Sequence, residues 1–170
     1  MGMARRIVAL LGAPGSGKSV VKHALIAAGF VELPMLEPVN RMVEHGLAIE
    51  REHLTGERLS LMAASYGQSP YALRRSLRDW GRARIGLNVW SSAWTRLALA
   101  ETRDIVLTDA GYPNEVQAVR DLGGRLWRVV GSAPIERAYD RMQAEIPSDR
   151  TFTNDKALVA SALAALAEDA

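Results

Sequence analysis

A parallel β-sheet covered by helices on both faces is the fold that this 170-residue sequence predicts, and three observations predict it. Short apolar runs alternate with helix-length segments along the chain, the pattern of repeated βα units. The first run, Ile7-Val8-Ala9-Leu10-Leu11, opens onto Gly12-Ala13-Pro14-Gly15-Ser16-Gly17-Lys18-Ser19, which has the form G-x-x-x-x-G-K-[ST]. With 48% hydrophobic and 24% charged residues, the chain can fill one core and still present a charged surface. A single domain over 1–170 is therefore expected.

The elements follow in order. Ile7–Leu11 is apolar throughout, as a strand buried on both faces should be. After the glycine loop, Val20, Val21, Ala24, Leu25 and Ala28 recur at helical spacing, and Gly29 stands where that helix would stop. A weak strand follows near Phe30–Leu33. The stretch 34–102 is too long for a simple crossover. It reads as mostly helical, punctuated by Pro38, Gly46, Gly56, Gly67 and Pro70, and is expected to be an inserted acceptor-binding region. Ile105–Thr108 and Leu126–Val130 are the next strands, with a fifth around Thr151–Thr153. Between them Asn114 is the expected N-cap of a helix over Glu115–Leu122, ended by Gly123-Gly124. Segment 132–148 stands where a short mobile lid would close. The whole is a P-loop NTPase three-layer architecture.

The loop chemistry explains its residue types. Gly12, Gly15 and Gly17 let backbone N–H groups turn inward around phosphate oxygens, with Ala13, Pro14 and Ser16 between them. The helix opening near Lys18, with Val20 in its first turn, offers its positive end. Lys18 should reach the β and γ phosphates of ATP, and the Ser19 hydroxyl should coordinate Mg²⁺. Lysine is scarce, with only Lys18, Lys22 and Lys156 against eighteen arginines, so Lys18 has few rivals for this task. Asp109, at the end of the third strong strand, is a second anchor for Mg²⁺ or its water shell and a candidate catalytic residue. Its alternative is a turn or helix cap.

Two arginine groups follow. In "SPYALRRSLRDWGRAR" Leu73, Leu77 and Trp80 lie at i, i+4 and i+7, a core-facing stripe. Arg75, Arg78 and Arg82 share another stripe at i, i+3 and i+7. Such a row can grip a monophosphate through paired hydrogen bonds; a solvated face and a nucleic-acid patch are the alternatives. In "SAPIERAYDRMQAEIPSDR" Arg137 and Arg141 are i, i+4 on an expected helix. They would close on the transferring phosphoryl group, or else pair on the surface with Glu136 or Asp140.

Composition excludes other classes. A formal charge of +2 does not suit a polyanion binder, so no nucleic-acid partner is expected. Without cysteine there is neither disulfide nor thiolate metal site. His23, His45 and His53 show no metal-ligand spacing. No apolar run is long enough to span a bilayer. The basic start before Ile7–Leu11 mimics a signal peptide, but the apolar run is too short and flows into the loop. The cytoplasm, or a host's cytoplasm for a viral protein, is the expected location. A homodimer is compatible with the sequence.

These motifs, in this order, resemble the bacteriophage-type deoxynucleoside monophosphate kinases, small relatives of adenylate kinase. The resemblance covers most of the chain. It rests on the glycine loop, "LTGERL", "SPYALRRSLRDWGR", "IVLTDAGYPNEVQAVRDLGGRLWRV" and "FTNDKAL", the third and fourth being the specific ones. It implies phosphoryl transfer from ATP, with Mg²⁺, to a deoxynucleoside monophosphate. It implies that Arg74, Arg75, Arg78, Trp80, Arg82 and Asn114 bind this small-molecule acceptor, that Arg82, Arg137 and Arg141 act in catalysis, and that Asn154 borders the ATP base. Four positions depart from the pattern. Tyr71 and Gly111 stand where the family has arginines, Asp79 where it has glutamate, and Ser19 where it often has aspartate. The first two bear on acceptor choice. A P-loop kinase of another small acceptor, and a nucleotide-binding protein that has lost phosphotransfer, are the alternatives.

Overall fold

The computed structural model describes residues 5–54, 66–132 and 138–168, the side chains of 138–140 excepted. In chain order the regular elements are β1 (Ile7–Leu11), α1 (Lys18–Ala27), β2 (Val31–Glu32), α2 (Glu37–Arg41), α3 (Pro70–Arg84), α4 (Val89–Ala100), β3 (Ile105–Leu107), α5 (Pro113–Asp121), β4 (Arg125–Val130), α6 (Ala138–Glu145), β5 (Arg150–Thr153) and α7 (Leu158–Glu168). A π-helical turn covers Met42–Gly46 and a 3₁₀ turn Arg51–Leu54. The strands form one five-stranded sheet in the order β2-β3-β1-β4-β5, with every pairing parallel. The chain order reverses at β1, so a crevice is expected at the carboxyl end of that strand, where ligands bind in open α/β sheets. Among the described residues, no helix is long and apolar enough to cross a membrane.

The chain divides into two compact units, Met1–Met35 with Thr95–Ala170, and Leu36–Trp94. The second falls inside the stretch expected to be an insertion.

In the first unit, β1 is buried at all five positions. Val8 and Leu10 pack in one cluster with Val21 and Leu25 of α1, Trp127 and Val129 of β4, Phe152 of β5 and Leu158 of α7. Trp127 meets Phe152 edge-on, with ring centroids 5.3 Å apart. Burying side chains of this size contributes about 1.5–3 kcal/mol each, which fixes the strand whose end carries the loop. Two glycines end α5 for different reasons. Gly123 takes φ 75°, and a Cβ on Gly124 would sit 2.6 Å from Val119 Cγ1.

The start of α5 corrects the sequence reading. The helix begins at Pro113 with Tyr112 as N-cap, and Asn114 lies inside its first turn. Proline is pre-formed for the first helical position. Glu115, buried, reaches back to accept the N–H of Gly111 at 3.0 Å and of Tyr112 at 3.1 Å. This reach-back of Glu115 to the cap fixes the start of the helix two residues before the one that an Asn114 cap would set.

In the second unit, Val43, Ile49 and Leu54 form a cluster against which Leu47, Leu73 and Leu77 pack. Buried Glu37 is paired with Arg41 at 3.0 Å and with Arg51. That hydrogen bond raises the Arg51 guanidinium above its ordinary value. The α3 stripe is narrower than the sequence predicts. Leu73 and Leu77 face the cluster, but Trp80 is 52% exposed. At about 100° per residue Trp80 lies about 20° from Leu73 and Gly81 about 40° from Leu77, on opposite sides of the pair, so periodicity alone does not choose between them. Gly81 holds the inward position because Trp90 lies against it and any Cβ there would overlap the indole. The Trp90 Nε1–H donates to the Arg78 carbonyl at 2.8 Å.

Candidate nucleotide site

The loop begins where β1 ends. Gly12, Gly15 and Gly17 have φ of 144°, 77° and 104°, a region that side chains with a Cβ avoid. At Gly12 a Cβ would strike the Val129 carbonyl and come 2.7 Å from Ser16 Oγ. At Gly17, the N-cap of α1, it would meet Asn154 Cγ at 2.8 Å. The backbone is thus bent back on itself, and α1 starts at Lys18 with the N-terminal end of its dipole on the loop side. Ser16 is buried beneath the bend, its Cα 2.8 Å from where a Cβ on Gly131 would lie. Its hydroxyl has no hydrogen-bond partner among the described residues. The Lys18 ammonium donates to the carbonyls of Gly12 and, at 2.8 Å, of Ala13, which places its charge across the loop. Pro14, Gly15, Ser19 and Val20 are exposed.

Three further residues converge on this loop. Asp109 lies two residues past Leu107, the register partner of Ala9. It therefore emerges at the same end of the sheet as Gly12. Its Oδ1 accepts the Met35 N–H at 2.7 Å, tying the carboxylate to the chain after β2. Asn154 follows β5 directly; its N–H donates to the Val130 carbonyl at 2.8 Å, and its side chain packs over Gly17. Gln143, on α6, is buried and accepts the Gly12 N–H at 3.1 Å through Oε1. Its Nε2 reaches the Ala110 carbonyl at 3.5 Å. The end of α6 is held by Arg128, whose Nη2 donates to the carbonyls of Gln143 at 3.1 Å and Ile146 at 2.5 Å. Burial lowers the Arg128 guanidinium below its ordinary value.

A chain-wide likeness to known structures accompanies this geometry. The crystal structure of TT1252 from Thermus thermophilus superposes with a TM-score of 0.54 at 20% identity, over 97% of each chain. Shikimate kinase from Aquifex aeolicus superposes with a TM-score of 0.53 at 11% identity, over 96% of this chain and 97% of that one. No family model matches the chain, and no curated protein sequence does. The fold is that of the P-loop kinases.

Within that fold the remaining expected residues are distributed as follows. Arg74, Arg75, Arg78 and Arg82 all lie on α3 in the second unit. Arg74 approaches Asn40 Oδ1 at 3.5 Å, Arg78 bonds Asp79 at 2.9 Å, and Arg75 stands 3.7 Å from the same carboxylate. Arg82 is half-buried. Tyr71, one of the departures from the kinase pattern, is 49% exposed on the same helix. Gly111, the other, is buried with its N–H on Glu115. In the first unit Asn114 is half-buried on α5, and Arg141 is exposed on α6. Arg137 lies outside the described residues. Also in the second unit, Glu50, Glu52 and His53 bring one ligand atom each within 4.8 Å of one another. This is a grouping that exposed acidic surfaces form without an ion.

Gln143 and Glu115 were missed as positioning residues. Gln143 lay within the segment read as a lid, and a single amide in a polar helix gives no local sign of burial. Glu115 had a usable signal, a glutamate at the third helical position after Tyr-Pro, which marks reach-back to the cap.

Proposed function

We propose that the protein is a kinase that moves the terminal phosphoryl group of ATP onto a phosphate oxygen of a nucleoside monophosphate, deoxyribose forms included. The observation that carries this reading is the loop itself, with three left-handed glycines leading into a helix at Lys18, beside Asp109 at the carboxyl end of the sheet. The residues fit Mg²⁺ and ATP on several counts. The cradle is one that a Cβ at Gly12 or Gly17 would fill, a buried Ser16 hydroxyl lacks a partner among the described residues, and Ser19 and Asp109 are hard oxygen donors of the kind Mg²⁺ prefers.

In this reading the loop N–H groups and the start of α1 hold the phosphates, and Lys18 binds the β and γ oxygens. Ser19 and Asp109 hold Mg²⁺, which when bound neutralises charge on the β and γ phosphates. Asn154 borders the base of ATP. Arg82, with Arg74, Arg75 and Arg78, grips the acceptor phosphate through paired hydrogen bonds, and Trp80 and Asn114 contribute to acceptor binding. Arg137 and Arg141 close over the transferring group and exclude water, which would otherwise compete as acceptor. The acceptor oxygen is already ionised at neutral pH, so no general base is needed. Positioning and charge neutralisation supply the catalysis.

A second reading, a kinase of another small acceptor, is favoured by Gly111 and Tyr71. Neither supplies the cation that the kinase pattern has there, and buried Gly111 leaves its environment with a backbone N–H alone.

Paired variants test the assignment. Lys18→Ala should lower kcat by roughly 10²–10³ with unchanged thermal stability. Arg82→Ala should raise the acceptor KM or lower kcat while ATP binding changes little. An Arg82→Ala variant that loses only ATP affinity would refute the acceptor assignment.

A further inference from the structure

The exit of β4 runs beside the glycine loop, and the two stretches meet backbone to backbone. Leu11, the last residue before the loop, is the register partner of Arg128, so Gly12 and Val129 leave the paired strands side by side. The Val129 carbonyl occupies the place that a Cβ on Gly12 would take. Two residues on, the relation is reversed. A Cβ on Gly131 would lie 2.8 Å from Ser16 Cα, 3.2 Å from the Ser16 carbonyl oxygen and 3.3 Å from its carbonyl carbon. Each stretch lacks a side chain where the backbone of the other passes.

Gly131 differs from the loop glycines in one respect. Gly12, Gly15 and Gly17 have left-handed backbone and Gly131 does not, so conformation does not call for glycine there. Close approach does. Ser16 has little room to yield to a methyl group. It is buried between two left-handed glycines, and its N–H donates to the Ala13 carbonyl at 3.1 Å, closing a turn of the loop. The atoms that the methyl would meet are backbone, not the far end of a flexible side chain. An alanine at 131 would therefore push the middle of the loop by several tenths of an ångström.

We propose that Gly131 is a positioning residue for the nucleotide, setting through Ser16 the place at which the loop N–H groups meet the phosphates. It acts on the loop and not on the ligand. The proposal rests on the reading of the loop as a nucleotide site. Gly124 supplies the control, because it precedes β4 as Gly131 follows it. A Cβ on Gly124 would lie 2.6 Å from Val119 Cγ1 and 2.8 Å from the Val119 carbonyl oxygen. That position is at least as tight, at the other end of the same strand.

Gly131→Ala and Gly124→Ala are compared by calorimetric titration with ATP and Mg²⁺, by steady-state kinetics and by thermal unfolding. Gly131→Ala should raise the Kd for ATP about tenfold, since a misplacement of about 1 Å can cost on the order of 10²-fold. Its acceptor KM should stay within about twofold of the wild type. Gly124→Ala should lower Tm while its Kd for ATP stays within about twofold, as expected for a site that shares no partner with the loop. A second readout needs no variant. Val130-Gly131 is the one Val-Gly pair in the sequence, so ¹³C-carbonyl valine with ¹⁵N-glycine labelling isolates the Gly131 N–H. Its NMR signal should shift with ATP and Mg²⁺ and saturate with the calorimetric Kd, and it decides the matter if Gly131→Ala does not fold. A folded Gly131→Ala that binds ATP like the wild type, equal weakening in Gly124→Ala, or a Gly131 signal indifferent to saturating ATP would each overturn the proposal. A wild type that binds no ATP would instead overturn the nucleotide reading, and the proposal with it.

Discussion

Replacing Gln143 by leucine separates a positioning role from a merely space-filling one. The substitution keeps a side chain of similar size in a buried place but removes the acceptor that Gly12 N–H uses at 3.1 Å. The second contact, to the Ala110 carbonyl at 3.5 Å, is at the limit of a hydrogen bond and adds little. Stranding a buried backbone N–H costs about 1–3 kcal/mol, and this one is part-buried. Taking about 2 kcal/mol, and roughly 2–4 °C per kcal/mol for a chain of this size, Tm should fall by about 4–8 °C. Gly12 is the first residue of the loop, so its loosening should also raise the KM for ATP several-fold, more than the acceptor KM. Thermal unfolding and steady-state kinetics check both, with Glu145→Ala, exposed on the same helix, as a control expected to shift Tm by under about 1 °C. A Gln143→Leu variant that melts with the wild type would refute the idea that this amide holds the loop.

Two further outcomes are expected. Gly17→Ala forces a Cβ to 2.8 Å from Asn154 Cγ at φ 104°; with about 1–2 kcal/mol for the left-handed backbone alone, it should lower Tm and ATP affinity, and adding Asn154→Ala should recover only the steric part, seen by calorimetry of the three variants. Glu101 is held by Arg103, through two side-chain bonds at 2.9 and 2.8 Å, and by the N–H groups of Arg103 and Thr102, which lowers its carboxyl from the ordinary 4.5 to about 2. Its folded value is depressed, so whatever stability it contributes is present above pH 4.5 and is lost as pH falls toward 2. A carboxyl NMR titration of the folded protein should place its midpoint near the lower value, and a midpoint at the ordinary value would contradict the pairing.

What was legible in the sequence follows from how local each cause is. Ile7–Leu11 and the glycine loop could be read because uniform apolarity and the G-x-x-x-x-G-K-S spacing are local consequences of strand burial and phosphate-binding backbone. β2 was faint because only Val31 and Glu32 pair, too few for a period to show. The boundary of α5 was misplaced by two residues because asparagine is a good cap in isolation, while Pro113 and Glu115 act together to set the earlier start. Trp80 was misassigned because a stripe at i, i+4, i+7 continues equally well through i+8, and the choice depends on Trp90, which fills the space at Gly81. Gln143 against Gly12 and Asn154 against Gly17 join residues more than a hundred positions apart. No local pattern encodes either contact, and Asn154 was reached through the family resemblance alone.

The central claim is phosphoryl transfer to a nucleoside monophosphate, and one assay addresses it directly. Purified protein, ATP and Mg²⁺ are mixed with each common deoxy- and ribonucleoside monophosphate, and diphosphate products are resolved. A diphosphate from at least one of them is expected, lost in Lys18→Ala. ATP binding without a diphosphate from any acceptor would contradict it, and would turn attention to the positions where Gly111 and Tyr71 replace arginines.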